Sequence, residues 1–199
     1  WRVEFHLRER DKGVLGGLSK KERREQYAEE LERRDRDIFY WQPLGGESIA
    51  NMCLRVDRFL NSIWDECTGL RVLVVCHGNI IEGFRLVLEQ MTQHHYIEHS
   101  RSDDPKDRLH NCQVLWYSRR NPNTNKVESN LNWLKSTVPW DTSLSTNEWT
   151  KIVRPTFNSE QLLERVKDVP QLVNNEEAAE LKDAEAPDTS LLQVANNKH

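Results

Sequence analysis

The sequence has 199 residues, 37% hydrophobic and 30% charged, with a formal net charge of -4. That is enough chain for one domain with a real core and a wet surface. The charge balance excludes a general nucleic-acid binder, and no run is long and apolar enough for a membrane-spanning helix.

Residues 1–7 alternate loosely and predict a short strand. Gly13, Gly16 and Gly17 mark a loop. Ser19-Lys20-Lys21-Glu22 is a capping box, so a helix is expected from Lys20 to about Arg36. Its apolar stripe is only Tyr27, Ala28 and Leu31, which places it on the surface. The basic pairs Lys20-Lys21, Arg23-Arg24 and Arg33-Arg34 are interleaved with acids and read as solvated faces. Pro43-Leu44-Gly45-Gly46 breaks the chain.

From Ser48, a natural N-cap, the pattern is strongly helical. Ile49, Met52, Cys53, Val56, Phe59, Leu60, Ile63 and Trp64 recur at helical spacing and predict a core-facing helix. Thr68-Gly69 ends it. Residues 70–76 are β-branched and nearly continuous in hydrophobicity, the pattern of a parallel strand buried on both faces. His77-Gly78-Asn79 is a tight turn, and residues 80–91 predict a second apolar helix.

Residues 92–110 are polar and rich in His and Asp, and predict a loop or lid. Residues 112–118 and 127–134 read as two strands of a hairpin about the turn 121–125. Ser159 is expected to cap a short helix through Val166. From Asn174 the composition predicts disorder. The expected domains are 1–172 and an acidic tail, 173–199.

The four cysteines, Cys53, Cys67, Cys76 and Cys112, form no C-x-x-C pair, which points to neither a zinc ribbon nor a dithiol motif. Their use suggests a reducing compartment, hence a cytoplasmic location. His95 and His99 stand at i, i+4, but no third metal ligand is assigned, and a solvated loop is the plainer reading. Cys76 beside His77 does not read as a nucleophile and base, since neighbouring strand residues point to opposite faces.

The chemistry concentrates at Val74-Val75-Cys76-His77-Gly78-Asn79. A strand delivers His77 to its carboxyl end, and a helix begins at once. Open α/β sheets bind ligands at that edge. Unpaired N–H groups at a helix N-terminus suit phosphate. Gly78 permits close backbone approach, and His77 can donate hydrogen bonds to phosphate oxygens. A His that merely caps or packs beside the strand end is the alternative.

Leu7-Arg8-Glu9-Arg10-Asp11-Lys12-Gly13, then Gly17-Leu18, Gly45-Gly46-Glu47-Ser48 and Val-Val-Cys-His-Gly-Asn stand in an order that resembles the histidine phosphatase superfamily, which contains cofactor-dependent phosphoglycerate mutases and broad phosphomonoesterases. The resemblance covers Leu7 to Met91 well and continues loosely to about Val166. It implies an α/β fold, three-layer α/β/α with a mostly parallel sheet. It implies that a His in an Arg-His-Gly motif attacks phosphorus, that Glu9 is the acid for the leaving oxygen, and that His77 is the second, phosphate-holding His. Arg10, Asn79 and Lys20, with the Gly78 backbone, are then substrate contacts. The substrate expected is a phosphorylated small molecule or a phosphoprotein, with no nucleic acid, membrane, cofactor or metal involved.

Two departures bear on this. No Arg-His-Gly occurs in the sequence, so the nucleophile is expected upstream of residue 1, or from a protein partner that supplies the missing N-terminal segment. The mutases usually carry His-Tyr after Glu-Arg, where Asp11-Lys12 stands here, which leans toward a phosphatase. A phosphomonoesterase acting through phosphohistidine is therefore the first reading. A non-catalytic scaffold or binding module is the second, and mutase-type phosphotransfer the third.

Overall fold

A computed structural model describes residues 1–167. They fall into two compact units, Trp1–Pro155 and one that begins at Thr156. In the first unit the chain enters as a 3₁₀ turn at Phe5–Leu7 rather than the expected strand. Glu4 fixes that turn locally, accepting from the His6 N–H at 3.2 Å and pairing with its ring at 2.6 Å.

Ser19 and Glu22 form the expected capping box, with the Ser19 N–H donating to Glu22 at 2.7 Å. The single helix expected there is two. α1 (Lys20–Gln26) ends at Tyr27, whose non-helical backbone (φ -134°, ψ 39°) separates it from α2 (Ala28–Arg36). Neither buries a residue, so no core contact holds one straight axis through Tyr27.

α3 (Ile49–Glu66) starts where Ser48 accepts from the Asn51 N–H at 3.0 Å. α4 (Gly78–Glu89) has His77 as its N-cap residue, so the helix begins two residues before the expected position. α3 and α4 pack across Gly83, where an added Cβ would stand 3.1 Å from Met52 Cε and 3.2 Å from Val56 Cγ2. Ile49, Met52, Val56, Ile80, Leu86 and Tyr96 form the centre of the core.

Tyr96 belongs to α5 (Gln93–Arg101), which corrects the first half of the loop expected at 92–110, while 102–110 holds only a 3₁₀ turn at Pro105–Asp107. Thr92 caps it by accepting from the His95 N–H at 3.2 Å. Tyr96 is buried, with its ring centroid 5.8 Å from that of Phe39. Burial of one aromatic outweighs the polar composition of the segment.

β1 (Val114–Ser118) pairs antiparallel with β2 (Trp133–Thr137), and β2 with β3 (Thr150–Lys151). The second strand starts later than the one expected at 127–134: Val127 makes an isolated bridge to Arg120, and the ladder begins only at Trp133. The later register buries Trp133 and Val138. Among the described residues this antiparallel sheet accounts for all the named strands. The chain is α/β, but its sheet here is not parallel.

Residues 71–77 form no strand. Leu70, Leu73 and Val75 are 70%, 70% and 74% exposed, the opposite of the doubly buried strand expected from their composition. The hydrophobic run is present, yet no neighbouring strand among the described residues pairs with it. Apolar composition alone cannot bury a strand.

In the second unit, Asn158 and Gln161 bond each other's backbone N–H at 2.8 and 2.9 Å and open α6 (Ser159–Lys167). The cap is therefore Asn158, one residue before the expected Ser159. The tail expected to be disordered lies outside the described residues. No described helix is long and apolar enough to cross a membrane.

Candidate functional site

Two close backbone approaches build the site's floor. Segment 11–13 lies against 43–47, with Val14 N–H donating to Leu44 O at 3.0 Å and Glu47 N–H to Asp11 O at 2.9 Å. Gly13 has φ +49°, and a Cβ there would fall 2.1 Å from Leu44 O. A Cβ on Gly46 would fall 2.8 Å from Asp11 O. Only glycines admit this contact, which accounts for Gly13 in the first glycine cluster of the sequence and Gly46 in the second.

The contact presents Glu9 and Arg10 toward the start of α4. Asn79 Nδ2 donates to Glu9 Oε1 at 3.3 Å, and the Arg10 backbone N–H donates to the same oxygen at 2.7 Å. Arg10 Nε donates to Glu47 O at 2.8 Å, and its Cζ sits 5.9 Å from the Trp41 ring centroid. Its Nη2 is buried and has no partner among the described residues. A buried guanidinium nitrogen without an acceptor is costly, and an oxyanion would satisfy it.

His77 and Gly78 are exposed at the α4 N-terminus. The His77 side chain makes no capping bond, so the capping alternative does not describe it. Among the described residues, nothing stands within 4 Å of where a Gly78 Cβ would be. Lys20 stands exposed at the first residue of α1, and no hydrogen bond or ion pair joins it to the other candidates. Glu9, Arg10 and Asn79 are thus brought together, His77 and Gly78 adjoin Asn79 in the chain, and Lys20 is apart.

The charges around Arg10 include two groups that the sequence reading missed. Burial pulls the Arg10 pKa down, while Tyr96, Glu47, Glu82 and Glu9 oppose the fall. Burial pushes the Glu82 carboxyl up, with Arg85 and Arg10 opposing and Glu9 reinforcing. Burial also raises Tyr96, helped by Glu82. Glu82 lies at i+3 from Asn79 on α4, the same helix face, and that spacing was its available signal. Cys76 is pushed up to about 11, mainly by burial, so it is a protonated thiol at neutral pH.

His95 and His99 do lie one turn apart on α5, but His99 faces Arg85 at 3.0 Å. Among the described residues no group of three His, Cys, Asp or Glu is placed to hold a metal.

Comparison with known proteins gives this geometry a context. Residues 1–117 match the model of the histidine phosphatase superfamily (branch 1). A protein named 2,3-bisphosphoglycerate-dependent phosphoglycerate mutase from Rhizobium etli is 38% identical over 88 residues, covering 43% of this chain and 42% of that protein. One of the same name from Methylorubrum extorquens is 36% identical over 88 residues, covering 43% and 42%. 2,3-bisphosphoglycerate-dependent phosphoglycerate mutase 2 from Gloeobacter violaceus is 39% identical over 88 residues, covering 43% and 40%. The matched stretch spans about two-fifths of the length of these relatives.

Proposed function

Since the chain belongs to the histidine phosphatase superfamily, we propose that it carries the acid and phosphate-holding side of a phosphomonoesterase that works through phosphohistidine. The nucleophilic His would come from an Arg-His-Gly segment outside these 199 residues. Its strand would pair with the exposed apolar residues 72–76 and complete a mostly parallel, three-layer sheet. The exposure of aliphatic side chains there supports that pairing.

The observation that carries the reading is the hydrogen bond from Asn79 to Glu9. It sets a carboxyl beside a helix N-terminus, so a proton donor and a phosphate cradle adjoin. In the first step the His nitrogen bonds to phosphorus, the ester P–O bond breaks, and Glu9 gives its proton to the leaving oxygen. In the second, water attacks phosphorus, the P–N bond breaks, and the Glu9 carboxylate takes the water's proton. His77 and the first N–H groups of α4 hold the phosphoryl oxygens throughout. The orphan Nη2 of Arg10 supports a further contact to a substrate oxygen.

The names of the matched relatives favour a second reading, phosphotransfer between phosphoglycerates. Asp11-Lys12 in place of His-Tyr keeps hydrolysis first. The test is phosphate release from aryl phosphates by the full-length polypeptide, with Glu9→Gln and His77→Ala beside it. Each variant is expected to lose roughly a hundredfold or more in kcat/KM. Interconversion of phosphoglycerates without phosphate release would move the assignment to a mutase. A folded, inactive parent that co-purifies with a partner would move it to a non-catalytic module.

A further inference from the structure

Arg55 lies in the second turn of α3 and reaches back past the helix N-terminus. Its Nε donates to Glu47 Oε1 at 2.7 Å and its Nη2 to Glu47 Oε2 at 2.9 Å. Its Nη1 donates to the carbonyl of His6. Both side chains are nearly buried, at 10% and 11% exposure. Burial alone would push the Glu47 carboxyl up, but the hydrogen bonds and charge of Arg55, with Arg8, outweigh it and hold it below the usual range.

Glu47 also reaches the other way, through its main chain. Its N–H donates to Asp11 O at 2.9 Å, and its carbonyl accepts from Arg10 Nε at 2.8 Å. Segment 6–13 has only short 3₁₀ turns of its own, so these bonds set where it lies. The Arg10 N–H in turn holds the Glu9 carboxylate at 2.7 Å.

We infer that the Glu47–Arg55 pair is a positioning device for Glu9 and Arg10, an inference that rests on the phosphoryl-transfer reading above. The pair ties a loop that carries an acid and a guanidinium to the longest described helix, whose inner face lies in the core. A bidentate Arg–carboxylate pair fixes direction as well as distance. Buried ion pairs add little net stability over apolar residues of equal volume, so the pair's contribution here is geometric. A displacement of the acid by about 1 Å costs up to a hundredfold in rate. Neither Glu47 nor Arg55 touches the reacting atoms.

The test compares Arg55→Met, Arg55→Lys and Glu47→Gln in the full-length polypeptide. The control is Arg154→Met, which removes another arginine clamp, one that grips Leu88 O, Leu131 O and Asn132. The first readout is kcat/KM for phenyl phosphate against 4-nitrophenyl phosphate, whose leaving group needs less protonation. Arg55→Met is expected to lose roughly tenfold more on the phenyl ester, with partial rescue in Arg55→Lys. The second readout is the Arg10 Nε–H resonance and its exchange protection, both lost in Arg55→Met. An equal loss on both esters, an unchanged Arg10 resonance in a folded Arg55→Met, or the same changes in Arg154→Met would overturn the inference. If the parent hydrolyses neither ester, the phosphoryl-transfer reading fails, and the Arg10 resonance alone decides the positioning. If Arg55→Met does not fold, Arg55→Lys and Glu47→Gln decide by the same two readouts.

Discussion

Arg85 on α4 donates from Nη1 to Nε2 of His99 on α5 at 3.0 Å. A guanidinium has no lone pair to offer, so His99 accepts and must be neutral at Nε2. The same Arg85 donates from Nε to Glu89 at 3.1 Å, and the Tyr117 hydroxyl donates to that carboxylate at 2.7 Å. One network therefore joins α4, α5 and β1.

The first prediction follows from His99. Burial lowers its pKa below 6.5, the charges of Arg85 and His95 lower it further, and Asp107 and Glu89 oppose. The folded state then binds fewer protons than the unfolded state. Stability from this site is complete above the unfolded value and is lost as pH falls from 6.5 toward the folded pKa. Denaturant midpoints measured from about pH 8 to pH 5 should fall more steeply in the parent than in His99→Gln. Parallel curves would refute the assignment of the neutral form.

The glycines of the floor make a second, ordered prediction. Gly13→Ala meets Leu44 O at 2.1 Å and must also hold φ +49°. Gly17→Ala at φ +74° meets nothing within 4 Å among the described residues. Strain at Gly17 should cost about 1 kcal/mol, and Gly13 should cost clearly more, since its obstacle is backbone. Urea unfolding of the two variants checks the order, and equal costs would contradict the close approach.

Residues 72–76 give a third. Their backbone N–H groups have no backbone partner among the described residues, so hydrogen exchange there should be fast while the centre of α3 is protected. Val75→Thr should change stability by less than about 0.5 kcal/mol. Met52→Ala, at a fully buried site, should cost about 2–5 kcal/mol. Protection at 72–76 in the isolated chain would mean that a strand already covers them.

Arg154 supplies a fourth. Its guanidinium bonds the carbonyls of Leu88 and Leu131 at 2.8–3.1 Å and Asn132 Oδ1 at 2.7 Å. Arg154→Met leaves these acceptors to water or to nothing, at about 1–3 kcal/mol. Thermal unfolding should register the loss while the Arg10 resonance stays in place.

Features whose cause is local were legible in the sequence. Ser19-Glu22 and Ser48 announce their helix starts because a cap bonds within its own turn. The spacing of Ile49, Met52 and Val56 names the buried face of α3 because a helix repeats within itself. Glu9 with Arg10, and His77 with Asn79, could be picked out as motifs, and the fold joins Glu9 to Asn79 across 70 residues. Tertiary structure decided what depends on a partner elsewhere in the chain. Tyr96 makes a helix of a polar stretch because Phe39 and the core receive its ring. Glu47 stood in the sequence only as one letter of Gly45-Gly46-Glu47-Ser48, and its partners Arg55, Arg10 and Asp11 are set by the fold. The run at 70–76 carries every mark of a buried strand and stays exposed, since a strand is buried only when another segment comes to bond its edge.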